Sequence, residues 1–333
     1  MPDRSRVKLH VVTGKGGTGK TTVAASLALA LASHGQDVLL CEVEGRQGIA
    51  RLFDVDPLPY EERRITKGAP DEDGRAGQVH ALHIDPESAL LEYLAMYYKL
   101  GRAGKALDRF GVIEFATTIA PGVRDVLLTG KVYEAVQRNT RSKGATTYDA
   151  VVLDAPPTGR ITQFLNVNGE LAGLARVGPI KSQADTVMTL FRSPRTAVHV
   201  VTLLEEMPVQ ESTDAIDDLT ALGIPIGRVI VNGTRPPALA GAKITGVEVR
   251  RALQAAGLPA DRETVAGLVA EGKAHQTRLE VEADLRDALD GLGRPIIELP
   301  ALAGGVTRDG LDRLADLLHD GLSAPARSDA SAL

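Results

Sequence analysis

Nine consecutive residues, Gly14-Lys-Gly-Gly-Thr-Gly-Lys-Thr-Thr22, constrain this chain more than any other stretch. Gly14, Gly19, Lys20 and Thr21 satisfy G-x-x-x-x-G-K-[ST], the pattern of a loop that cradles phosphate. Glycines there let backbone N–H groups converge on phosphate oxygens with no Cβ in the way. Lys20 is expected to neutralise the β- and γ-phosphates, and the Thr21 hydroxyl to coordinate Mg²⁺ directly. The candidate nucleotide-binding residues are therefore Gly14, Lys15, Gly16, Gly17, Thr18, Gly19, Lys20, Thr21 and Thr22. Lys15 is one lysine too many. It cannot easily share one phosphate tail with Lys20, which suggests an active site completed by a second subunit.

The flanks suit such a loop. Val7, Leu9, Val11 and Val12 form a short apolar strand before it. An Ala- and Leu-rich helix is expected from about Lys20 to His34, stopped by Gly35. That helix is apolar nearly all round, as a helix buried against a sheet should be. The same glycines also spell G-x-G-x-x-G, with Glu42 or Glu44 near the spacing of a ribose-binding acid. The dinucleotide reading gives no role to Lys20, Thr21 or Thr22, and is the weaker one.

With 333 residues, 44% of them hydrophobic, the chain can bury a full core. A net charge of −5 argues against a nucleic-acid surface. The single cysteine, Cys41, lies in an apolar strand and reads as a core residue of a reducing compartment. No apolar run approaches membrane-spanning length and no signal-peptide region opens the chain, so a cytoplasmic protein without direct membrane insertion is expected.

Seven apolar runs read as strands: Val7 to Thr13, Val38 to Val43, Val79 to Ile84, Ala150 to Asp154, Ala197 to Leu204, Val229 to Asn232 and Pro295 to Leu299. Runs rather than alternation imply a mostly parallel sheet covered on both faces, an α/β doubly wound fold. Residues 1–320 are expected to form one domain, with helical insertions at about 86–147 and 161–195 as an added layer. Asp56 to Gly77, charged and Pro-containing, reads as an exposed or partly disordered loop. Residues 321–333 read as a disordered tail.

Two acids complete the site. The run Ala150-Val-Val-Leu-Asp154 delivers Asp154 to a strand's carboxyl end, in the manner of a Walker B acid near Mg²⁺. Ala155 to Gly159 would then sense the γ-phosphate. Glu44, just after the second strand, faces the same crevice and is a candidate to orient the attacking water. Lys15, Glu44 and Asp154 are the candidate catalytic residues, the two acids holding Mg²⁺ through water. The bland alternative for Glu44 is a surface pair with Arg46.

Together these stretches resemble the anion-transporting ATPases of the arsenical pump-driving type, a family that includes the ATPase guiding tail-anchored membrane proteins. Lys15-Gly-Gly-Thr-Gly-Lys-Thr-Thr is similar to its deviant Walker A loop, and Asp154-Ala-Pro-Pro-Thr-Gly to its switch II sequence D-T-A-P-T-G. Ala120-Pro-Gly-Val-Arg-Asp resembles its P-G-I-D-E segment. Thr202 to Thr213, with Glu205, Glu206 and Glu211, resembles a strand-to-helix stretch carrying spaced glutamates. Val229-Ile-Val-Asn232 resembles its I-V-N-Q, which implies that Asn232 contacts adenine. Pro300 falls where the family's adenine-side loop begins. The resemblance implies ATP and Mg²⁺ as ligands, and a homodimer or heterodimer with a related ATPase chain. Lys15 of each subunit would reach the phosphates bound by its neighbour.

The departures narrow the reading to an actinobacterial-type member without the metalloid and zinc cysteines. One cysteine supplies neither the arsenite-sensing triad nor the zinc clasp of the tail-anchored targeting ATPase. Glu44-Gly-Arg-Gln replaces the switch I sequence D-P-A-H, and Arg160 stands where switch II has His. Only four methionines are present, where that family's client groove is Met-rich. Ile180, Val187, Met188 and Leu190 form a possible apolar client surface, or pack on the chain's own core. The reading is an ATP-hydrolysing dimeric switch acting on a hydrophobic protein client or a membrane-protein partner, with no nucleic acid. The energising subunit of a transporter and a ParA- or Min-like positioning ATPase are the alternatives.

Overall fold

The computed structural model describes residues 7–70, 74–98, 122–138, 146–174 and 179–323. Among the described residues eight strands form one sheet: β1 (Leu9–Gly14), β2 (Val38–Glu42), β3 (Arg63–Lys67), β4 (Gln78–His83), β5 (Ala150–Asp154), β6 (Thr196–Thr202), β7 (Ile226–Thr234) and β8 (Ile296–Pro300). Their spatial order is β3-β4-β2-β5-β1-β6-β7-β8. Every pairing is parallel except that of β3 with β4. The fold is α/β and doubly wound.

The helices among the described residues are α1 (Lys20–Ala32), α2 (Gly48–Leu52), α3 (Pro86–Tyr98), α4 (Val123–Gln137), α5 (Thr158–Leu174), α6 (Pro179–Phe191), α7 (Glu206–Ala221), α8 (Gly246–Ala255), α9 (Arg262–Asp290) and α10 (Arg308–Ser323). Two cores sandwich the sheet. Leu9, Val11, Leu39 and Leu153 pack one face against α4 to α7 through Leu128, Phe164, Phe191 and Leu219. Val12, Leu40 and Val152 pack the other face against α1 and α10 through Leu27, Leu311 and Leu318. Adjacent residues of β1 thus serve opposite faces, and all six of its residues are buried. α1 is buried nearly all round, as its composition requires.

Two differences from the sequence reading have physical causes, and one alternative left open is decided. The segment read as a loop between residues 56 and 77 contains β3, an antiparallel edge strand with Arg63, Arg64 and Lys67 exposed. Charge on an edge strand blocks pairing with another sheet, and it also hides the strand from a search for apolar runs. The interval between β7 and β8 holds α8 and the 29-residue α9, about 44 Å long at 1.5 Å per residue. Only Val265, Gly272 and Leu289 of α9 are buried, and none of α8, so this arm exposes Val247, Leu258 and Leu268. Finally, Val187, Met188 and Leu190 are core residues of α6 and not an open client surface. Ile180 lies outside the residues whose side chains are described, as do Ala120 and Pro121 and, of the proposed tail, residues 324–333; 321–323 end α10.

Two histidines lie inside the sheet. His10 Nδ1 on β1 and His199 Nε2 on β6 are 3.1 Å apart, with the rings stacked at 5.4 Å. Burial pushes His10 down to about 4; it also pushes His199 well down, with His10 and Arg228 adding to the effect. The unfolded chain takes up protons as pH falls through 6.5, whereas the fold resists until about 4. Stability present above 6.5 is therefore lost as pH falls toward 4, by up to about 1.4 kcal/mol per pH unit for each histidine. Asp154, held protonated up to about 7 in the fold, contributes a slope of the opposite sign over the same range. Urea unfolding at pH 7 and pH 5 should therefore show His10→Gln shifting the slope by up to about 1.4 kcal/mol per pH unit relative to the parent chain. Equal slopes in both chains would contradict the assignment.

Candidate nucleotide site

The glycine loop joins the carboxyl end of the central strand to the N-terminus of α1. Gly14 has no room for a side chain, because a Cβ would lie 2.1 Å from the Val201 carbonyl oxygen on β6. Gly19 is the residue before α1, at φ +90°, and no side chain caps the helix there. The amide of Asn232, at the end of β7, donates to the Thr18 carbonyl at 2.8 Å and covers Gly19. A Cβ on Gly19 would come within 2.3 Å of that amide nitrogen. The helix N-terminus is thus left to the loop's own concavity, an arrangement that suits an anion.

Lys20 is buried, and its ammonium donates to the Lys15 carbonyl at 3.4 Å, folding back over the loop. Burial lowers its pKa, while Asp154 and Glu44 act in the opposite sense. The Thr21 hydroxyl donates to Asp154 Oδ2 at 2.6 Å. Asp154 Oδ1 is buried without a hydrogen-bond partner. Desolvation pushes this carboxyl up to about 7; Thr21 and Lys20 oppose it, and Glu42 and Glu44 reinforce it. A bound divalent cation would reverse that balance. A carboxylate with one oxygen on a Thr hydroxyl and one free oxygen fits Mg²⁺, which keeps most of its waters and takes few protein ligands.

Glu44 is partly exposed and near enough to act on both Lys20 and Asp154. Among the described residues no ion pair joins it to Arg46. The loop carrying it is pinned at both ends. Glu42, fully inside, accepts from the Gly48 and Ile49 amides at 2.9 and 3.4 Å, and Gln47 exchanges two hydrogen bonds with Leu58. Pro300 ends β8 beside Thr234 of β7, on the Asn232 side of the site.

After β5 the chain turns through Ala155-Pro-Pro157 into α5. Thr13 Oγ1 donates to the Pro156 carbonyl at 2.7 Å, and the Ala155 amide to the Val12 carbonyl at 3.0 Å. Arg160 pairs with Asp125 at 3.5 Å, and Arg124 reaches the Val43 carbonyl at 3.4 Å, so α4 touches both the first turn of α5 and the segment after β2. Lys15 leaves its own loop. Its ammonium binds Glu211 Oε1 on α7 at 2.5 Å, while Thr158 Oγ1 donates to Glu211 Oε2 at 3.1 Å. Sequence reasoning had placed Glu211 only within a similar stretch and Glu42 only as a ribose-acid candidate. Their acidic character, at a strand end for Glu42 and in the second turn of a helix for Glu211, was the available signal.

A phosphate loop on a central parallel strand, with an acid at the end of the adjacent strand, defines the phosphate-loop class of nucleotide-hydrolysing proteins. Within that class the chain belongs to the anion-transporting ATPase family, whose model matches residues 7–193. It is 50% identical over 322 residues to the ATPase BagA of Mycobacterium tuberculosis, covering 94% of this chain and 93% of that one. It is 30% identical to an arsenical pump-driving ATPase of Escherichia coli, over 71% of this chain and 37% of that protein. It is 24% identical to the ATPase GET3 of Kluyveromyces lactis, over 66% and 70% of the two chains. The chain is an ATPase. Among the described residues no helix is long and apolar enough to cross a membrane.

Proposed function

We propose that the chain is a Mg²⁺-dependent ATPase that closes into a dimer on ATP and couples closure to handling of a protein client or partner. The convergence of Lys20, Thr21, Asp154 and Glu44 at one end of the sheet carries the hydrolytic part. Lys20 and the loop amides would hold the phosphates. Asp154 would accept from a metal-bound water, and Glu44 would align the attacking one. Phosphoryl transfer asks mainly for positioning and charge, which these groups can supply. Asn232 and Pro300 would border the adenine, with Asn232 already fixing the loop through Thr18. The seat of Lys15 outside its own loop supports a role toward a neighbour's phosphates. The apolar side chains exposed on the α8–α9 arm support contact with a protein partner.

Glu44→Gln tests this reading. It should keep ATP affinity, lower turnover about 10²-fold and accumulate a closed ATP-bound dimer seen by light scattering. Normal turnover would show that another group orients the water. Capturing partners on that trapped dimer then separates the outcomes. A protein client supports the reading, whereas a multi-span transporter, or salt-sensitive retention of DNA or lipid, would replace its coupling half.

A further inference from the structure

We propose that Glu211 is a positioning residue whose carboxylate clasps Lys15 and Thr158 in the isolated subunit, so that Lys15 becomes available only when the clasp opens. This rests on the shared-site reading above.

Three segments far apart in sequence meet at one carboxylate. Oε1 takes the Lys15 ammonium of the glycine loop, and Oε2 takes the Thr158 hydroxyl at the first turn of α5. The lysine's hydrogen bond, helped by that of Thr158, holds the Glu211 carboxyl below the usual range. Asp214 and Asp218, further along α7, line with Thr158 and Gly159 a groove of about 420 Å³ between α5 and α7. Asp214 is engaged by Gln210, and neither acid has a hydrogen bond to Lys15. Glu211 alone of these three links the loop to α5.

Thr158 is the far end of a short tether. Asp154 is bonded to Thr21, Pro156 to Thr13 and Thr158 to Glu211, so each second residue of the segment is fixed to a different element. A group that displaces Asp154 from Thr21 at one end strains the Thr158 bond at the other. The two prolines between them leave little slack. Lys15 and Glu211 are 30% and 33% exposed at their side chains, so the pair is solvated and exchanges readily. It is a clasp weak enough to be opened by ligand binding and strong enough to keep a free lysine from approaching a neighbour at random.

Hydrogen exchange in the nucleotide-free protein is a readout that requires no dimer. Glu211→Gln and Lys15→Ala should each speed exchange across residues 154–160 several-fold, and the double variant no more than either alone. Additive effects, or no effect of Glu211→Gln, would overturn the clasp. With ATP and the Glu44→Gln background, Glu211→Gln should lower the protein concentration needed for dimer formation by roughly threefold to tenfold. An unchanged or higher midpoint would also overturn it. If no chain dimerises with ATP, the shared-site reading fails, and the exchange cycle still decides whether Glu211 positions Lys15 and Thr158.

Discussion

Lys15→Ala should bind ATP within a few-fold of the parent chain and yet lose about 10³-fold or more of its hydrolysis, the scale set by cationic groups supplied to a transferring phosphoryl. The expectation comes from where the side chain sits. The Lys15 ammonium is on Glu211 of α7, while its backbone carbonyl stays in the loop and accepts from Lys20. Removing the side chain therefore leaves the glycine cradle and the Lys20 contact with the loop in place. What disappears is a charge that acts on developing negative charge, an interaction realised in the transition state and not in the ground state. A large loss of ATP affinity would show that Lys15 serves its own loop.

Lys20→Ala should remove ATP binding, with affinity down by about 10²-fold or more, because a charge-assisted contact buried beside an anion is lost together with its partner's compensation. Lys20 is 8% exposed and lies over the loop, and Asp154 and Glu44 stand near it. Without it, the nearby carboxylates of Asp154 and Glu44 would lose the cation that now stands beside them. Calorimetry with ATP and Mg²⁺ measures the effect directly, and an unchanged affinity would remove Lys20 from the phosphate site. Both substitutions leave the core packing of α1 through Val23, Leu27 and Leu29 intact.

How much of this was legible depended on the type of signal each residue carries. β1 and β5 were visible because strands buried on both faces are continuous apolar runs, and the glycine loop because its spacing answers to phosphate geometry. β3 was hidden by the same charges that make it a safe edge. α8 and α9 stood out less because an arm exposed on most sides buries few residues and carries no continuous apolar run. Asn232 was expected at the adenine by resemblance; its amide is bonded to Thr18, which explains why a glycine must follow. The Lys15–Glu211 contact spans 196 positions and exists only because β1 and β6 are neighbours in the sheet. No local pattern announces such a pair.

The central claim is that each active site takes its phosphates from one chain and its second lysine from another. Equal amounts of the Lys15→Ala and Lys20→Ala chains, each inactive alone, test it most directly. Half the dimers would pair one of each, and in those the Lys15→Ala chain binds ATP while its neighbour supplies Lys15. The account predicts that mixing restores hydrolysis to at most about a quarter of the wild-type rate. A mixture as inactive as its components would contradict it.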